Sequence, residues 1–177
     1  MDFDGVLDTI HYSSLDDIER RIKILSEICS ELDCSVVIEA SAKDVINEDT
    51  LQVEDNSSWV NFIFDCFDKY NINCIGRTPN VIRRINDYIY TPIWKEDEIR
   101  LYLYRHPEID HYCIIDDDDF HDLEKVKSHL VKTIYSSNNY EEEGLLLKHK
   151  EEIKEILKKD NDIKRLILKK HEINKND

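Results

Sequence analysis

Short β-branched runs alternate along this chain with longer segments of helical period, and that alternation restricts the possible folds more than any other feature. Leu15, Ile18, Ile22, Leu25, Ile28, Cys29 and Leu32 recur every three or four residues, the spacing of one helical face, and Ser13 or Ser14 can cap its start. Cys34 to Ile38 (CSVVI) follows at once and suits a short buried strand. Trp59, Phe62, Ile63, Cys66, Phe67 and Tyr70 repeat the helical period, and NINCIGRTPN then reads as a strand ended by Gly76 and Pro79. Residues 80–94 have no clean period and are expected to be loop with a short β pair, whereas Lys95 to Arg105 is helical and stops before Pro107. HYCIIDDDD reads as a strand running into acids, His121 to His129 as a helix, and Leu130 to Ile134 as a last strand. From Leu145 onward, Ile153, Ile156, Leu157, Ile163, Leu166 and Ile167 mark one long amphipathic helix, or two broken near Asp160-Asn161-Asp162. Strands separated by helices pair in parallel through right-handed crossovers, so the expected fold class is α/β.

Composition removes several function classes. A formal net charge of -15 over 177 residues repels polyanions at long range, which disfavours any partner held mainly by counterion release. Cys29, Cys34, Cys66, Cys74 and Cys113 are odd in number, form no CxxC pair and mostly sit among apolar neighbours, as reduced core residues of a cytoplasmic protein do. There is no apolar run of about 18 residues and no basic start leading into an apolar stretch, so neither a membrane span nor a secretion signal is expected.

Ligands of open parallel sheets bind beyond the carboxyl ends of the strands. Here the first strand is expected to end in Asp2 and Asp4, the second in Glu39-Ala40-Ser41, and a later one in Asp116-Asp117-Asp118-Asp119. Carboxylates gathered in a partly desolvated crevice repel one another unless a cation sits among them, and oxygen-only ligands favour a hard ion such as Mg²⁺. Asp2 and Asp4 share a strand face if the chain stays extended through Phe3, and Gly5 then permits a sharp turn. One carboxylate of such a pair can attack phosphorus while the other donates a proton to the leaving oxygen. Asp118 and Asp119 read as solvated or helix-capping, Arg77, Arg83 and Arg84 as ion-pair partners, and His106, His111 and His121 as surface residues without metal-ligand spacing. Trp59 and Trp94 are expected to pack in or over the core.

DFDGVLDT resembles the first motif of the haloacid dehalogenase (HAD) superfamily, DxDG(V/T)L, and CIIDDDD resembles its last. VVIEAS, GRTPN, KEDEI, HLVKT and EGLLL follow in the order seen in one branch, the HAD domain of Swiss Army Knife RNA repair proteins, and the resemblance runs over roughly residues 1–157. It implies a Rossmann-like, three-layer α/β/α fold with a mostly parallel sheet and no large cap, leaving 158–177 as a basic amphipathic helix or tail. It further implies Asp2 as nucleophile, Asp4 as general acid/base, and Mg²⁺ held by the Asp2 carboxylate, the Asp4 main-chain carbonyl and Asp116 or Asp117. Lys95 matches the basic residue that balances nucleophile and phosphoryl charge, and Ser41 is the hydroxyl available to a phosphate oxygen.

Glu39 falls where the family places a phosphate-binding Ser or Thr, and an anion there would repel the substrate. The resulting expectation is a Mg²⁺-dependent phosphomonoester hydrolase acting through an aspartyl-phosphate on a phosphorylated substrate, with a nucleic-acid end favoured. The alternatives are a catalytically weak or inactive HAD-fold binding or scaffold protein and a small-metabolite (nucleotide) phosphatase. Lys148 to Lys170 carries a run of basic residues that reads as a solvated helix face, with contact to a nucleic-acid backbone or a partner protein as the other option.

Overall fold

A computed structural model describes residues 1–54, 57–80, 82–84, 90–92, 94–120 and 127–159. The first helical segment forms α1, Leu15–Leu32, and the Ser14 side chain closes its first turn by accepting from the Asp17 amide at 3.2 Å. Asp16 and Asp17 stand in that turn, where carboxylates meet the positive end of the helix dipole. Asp33, in the left-handed region at φ 51°, ends the helix and leads the chain toward β1, Val36–Ile38. After α2, Ser58–Lys69, the chain returns as β2, Cys74–Arg77, parallel to β1. Ile82–Arg84 and Tyr90–Pro92 pair in antiparallel fashion as β3 and β4, the short β pair expected within 80–94.

α3, Lys95–Arg105, precedes β5, Ile114–Asp116, and β5 pairs in parallel with β6, Leu130–Lys132. α4 spans His149–Leu157, so the helix expected from Leu145 starts one turn later, after a 3₁₀ turn at Tyr140–Glu142. Beyond Lys159 the basic segment lies outside the described residues, as does most of the helix expected over 121–129, of which Lys127–His129 is a 3₁₀ turn. Helices alternating with small parallel sheets make the chain α/β. Among the described residues no helix is long and apolar enough to cross a membrane.

The first strand departs most from expectation. Met1 and Asp2 lie between β1 and β5: the Met1 ammonium donates to Val37 O at 2.8 Å, Glu39 N donates to Met1 O at 2.8 Å, and Asp2 N donates to Ile115 O at 3.0 Å. This two-residue link joins the two parallel pairs, but the chain does not stay extended through Phe3. Phe3 O instead accepts from Leu7 N at 2.8 Å and from Asp8 N at 3.1 Å, and Gly5 adopts φ +72°. Asp2 is therefore buried while Asp4 is exposed, and the two carboxylates do not share a strand face. A side chain at Gly5 is excluded twice, because an added Cβ would also stand 2.2 Å from Asp117 Cγ.

Apolar packing sits on both sides of β5. Ile115 joins the main core with Phe3, Ile22, Leu25, Ile38, Ile63 and Phe67, whereas Ile114 joins a second cluster with Ile99, Leu103, Tyr112 and Phe120. Trp59 packs edge-on against Phe3 at 5.8 Å, but Trp94 is 57% exposed and does not cover the core as expected. The cysteines are all unpaired.

Arg21 lies on the buried face of α1 and holds the turn after Phe3 in place. Its guanidinium donates to Leu7 O at 3.2 Å, Tyr12 O at 3.1 Å, Thr9 Oγ1 at 3.2 Å and Glu143 O at 3.2 Å. Gly144, at φ +72°, makes room for it, since a Cβ there would lie 2.2 Å from Arg21 Nε. Arg21→Met leaves these buried carbonyls without donors, and chemical denaturation is expected to show a loss of about 3 kcal/mol. A loss under about 0.5 kcal/mol, the usual surface value, would mean the turn is held by other contacts.

Candidate active site

β5 carries Asp116 at its carboxyl end, fully buried, with Oδ1 accepting from Asp118 N at 2.8 Å. Strand alternation puts Asp116 on the side of Ile114, facing α3. Beside it, Asp2 is fixed by its main-chain bond to Ile115, and its Oδ1 accepts from Phe3 N at 2.7 Å. Lys95 opens α3 and points its ammonium between these acids, 2.6 Å from Asp2 Oδ2, 3.0 Å from Asp116 Oδ2 and 3.3 Å from the exposed Asp118. A lysine at a helix N-terminus meets the positive end of the dipole, so the carboxylates in front of it are what make the position favourable.

Asp2, Asp116 and Asp117 each offer an oxygen, and these atoms lie within 4.8 Å of one another. Burial raises the carboxyl pKa of Asp2, and the nearby Asp116 charge adds to it while Lys95 opposes. Burial likewise raises Asp116 against the pull of Lys95, and it raises Asp117 with help from Asp118 and Asp2. Burial would lower the Lys95 ammonium, but Asp2 and Asp116 outweigh it and hold its pKa above the ordinary lysine value. A largely buried all-oxygen group with one ammonium for several carboxylates is chemically suited to a hard divalent cation.

Asp4 stands apart from this group at the surface, where its Oδ2 accepts from Ser41 Oγ at 3.1 Å. Both line, with Asp2, Lys95, Asp117 and Tyr135, a cleft of about 830 Å³. The structure thus gathers Asp2, Lys95, Asp116 and Asp117 into one cluster and sets Asp4 and Ser41 on the cleft wall.

Glu39 corrects an expectation. Rather than presenting a free anion, it is 3% exposed and accepts from Lys43 Nζ at 2.9 and 3.1 Å. The Thr78 hydroxyl also donates to Glu39, and Lys43 reaches Thr78 Oγ1 at 3.2 Å and the Glu98 carboxylate. Lys43 therefore screens two glutamates at the cleft floor. The sequence held a trace of this arrangement in the Glu39–Lys43 spacing of four, but only burial shows that it is a closed pair and not a surface one.

The family described as the HAD domain in Swiss Army Knife RNA repair proteins matches residues 1–138. The chain belongs to that family. The match contains every residue of the cleft named above and ends before EGLLL, the last of the motifs in the resemblance. Membership supports a hydrolase of the HAD type as the class of activity. No curated protein and no solved structure matches the chain.

Burial pushes the Glu39 carboxyl from its ordinary 4.5 up to about 7, against the pull of Lys43. Between those values the folded protein holds a proton that the unfolded chain releases, so this group makes stability fall as pH rises through the window. The Tm of Glu39→Gln relative to the parent is expected to shift in the variant's favour from pH 4.5 to 7. A difference that does not change with pH would show that Glu39 does not titrate there. Lys43→Met strands both glutamates and is expected to cost about 3 kcal/mol in chemical denaturation, with recovery when Glu39→Gln is added.

Proposed function

We propose that this chain is a Mg²⁺-dependent phosphomonoester hydrolase acting through an aspartyl-phosphate on Asp2, with a nucleic-acid end phosphate as substrate. The supporting observation is the convergence of Asp2, Asp116 and Asp117 around Lys95 within a domain of the HAD family. We read the fold as Rossmann-like and three-layered over residues 1–157, with 158–177 as a basic appendage. Only residues 5–14 separate Asp4 from α1, which leaves the cleft without a large cap there and open to a polymer end. Unpaired cysteines suit a reducing, cytoplasmic setting.

The roles are carried over from the family resemblance onto these residues. Asp2, Asp116 and Asp117, with the Asp4 main-chain carbonyl, would hold Mg²⁺. The bound ion would neutralise phosphoryl oxygens and so favour their entry among carboxylates. Lys95, 2.6 Å from Asp2 Oδ2, opposes the protonation that burial favours there and offsets charge that builds on the phosphoryl group. An Asp2 oxygen attacks phosphorus as the bond to the departing alcohol oxygen breaks, and Asp4, in its acid form, gives that oxygen its proton. A water oxygen then attacks the same phosphorus, Asp4 takes the water proton, the bond to Asp2 breaks, and inorganic phosphate leaves with the enzyme restored. Ser41, which donates to Asp4 in the free protein, would turn toward a phosphate oxygen. Lys43 keeps Glu39 from repelling the incoming anion.

Turnover of a generic aryl phosphate is expected to require Mg²⁺ and to fall by on the order of a thousandfold or more in Asp2→Asn. Mg²⁺ should also raise the Tm of the parent, by about 2.7 kcal/mol of stabilisation at a hundred times Kd, and raise it much less in Asp116→Asn. Turnover that survives Asp2→Asn would remove Asp2 as nucleophile, and a Tm indifferent to Mg²⁺ would remove the cation site.

A further inference from the structure

One wall of the cleft carries an exposed aromatic ring on a protein with a formal net charge of -15. Tyr135 lines the cleft beside Asp4 and Ser41 and is 44% exposed. Ile10, Ile134 and Tyr140 are exposed on the same two segments, 9–12 and 134–145. These segments are tied to one another: Ile10 N donates to Tyr135 O at 3.1 Å, Gly144 N donates to Ile134 O at 2.9 Å, and Ser137 N donates to Glu143 Oε1 at 2.7 Å. Glu143 is buried beneath them and takes the His11 ring nitrogen at 2.6 Å, while the His11 ring lies stacked on Tyr140 at 3.9 Å. Arg21, bonded to Glu143 O, anchors the rim from below. The exposed rings and isoleucines thus stand on a frame fixed by main-chain and buried polar contacts.

We propose that this rim is a stacking site for the nucleobase adjoining the phosphate that is removed, with Tyr135 as the principal ring. The inference rests on the phosphatase reading and names the part of the substrate that the acid cluster does not touch. A net charge of -15 disfavours long-range attraction of further backbone phosphates, which makes uncharged surface in the cleft a source of affinity beyond the reacting phosphate. A nucleobase supplies a flat face that stacks on a tyrosine whatever its sequence, and this interaction does not depend on charge. A bare sugar phosphate offers no such face.

Adenosine 5′-monophosphate and ribose 5-phosphate differ by the base alone and serve as the probe pair. With Mg²⁺ present, the intact chain is expected to bind the nucleotide about tenfold more tightly than the sugar phosphate by calorimetry, and to show a similar preference in kcat/KM, carried by KM. Tyr135→Ala should bring the ratio close to one, and Tyr135→Phe should keep it. Equal binding of the two probes by the parent, a preference that survives Tyr135→Ala, or a preference lost equally in Tyr135→Phe would each overturn the proposal. Failure of the phosphatase reading looks different: neither probe is hydrolysed, while the binding ratio and its response to Tyr135 still decide the stacking site. Because Tyr135 is half exposed, both variants should keep the parent Tm, and a matching Tm accompanies the comparison.

Discussion

The ammonium of Lys95, held between Asp2 and Asp116, is the contact on which the cleft depends. Two carboxylates this deeply buried would repel each other and lose hydration together, and an ammonium at 2.6 and 3.0 Å compensates both. It also joins three distant parts of the chain, because Asp2 lies at the start, Asp116 ends β5 and Lys95 opens α3. The main chain reinforces the same junction: residues 1–2 bridge β1 and β5, so the link between the two parallel pairs and the acid cluster are assembled by the same few residues.

A protein with a net charge of -15 has to place its cations with care, and the interior shows how this one does so. Lys43 lies with Glu39, Glu98 and Thr78 at the cleft floor, and Arg21 satisfies a set of carbonyls below the rim. Each buried cation meets several acceptors, which turns groups that would destabilise a core into fixed geometry. Gly5 and Gly144 are the counterparts of this packing. Each gives way to a polar side chain that comes within 2.2 Å of where a Cβ would be, Asp117 in one case and Arg21 in the other.

The helices were legible along the chain because their apolar residues keep a 3.6 period: α1, α2 and α3 run close to the expected bounds. The strands were legible in place but not in length. CSVVI predicts five residues and β1 has three, since pairing partners and not β-branching decide where a ladder ends. The acids at strand ends were readable as a group, yet the division between buried Asp2 and exposed Asp4 was not, because the turn at Phe3 is set by hydrogen bonds to Leu7 and Asp8 and by the Arg21 anchor beneath. Trp94 escaped for a similar reason: its composition suits a core, and its position ahead of α3 leaves it outside.

Sequence by itself determined the α/β class, the helix positions and the identity of the acids, for these follow from residue type and spacing along one dimension. Tertiary structure alone decided which charges are met. Glu39 reads on paper as an anion in the way of phosphate and in the fold as half of a screened pair, and Tyr135, which no motif singles out, stands on the cleft wall only once the chain is folded. Burial and pairing are properties of three-dimensional neighbours, and no period in the chain encodes them.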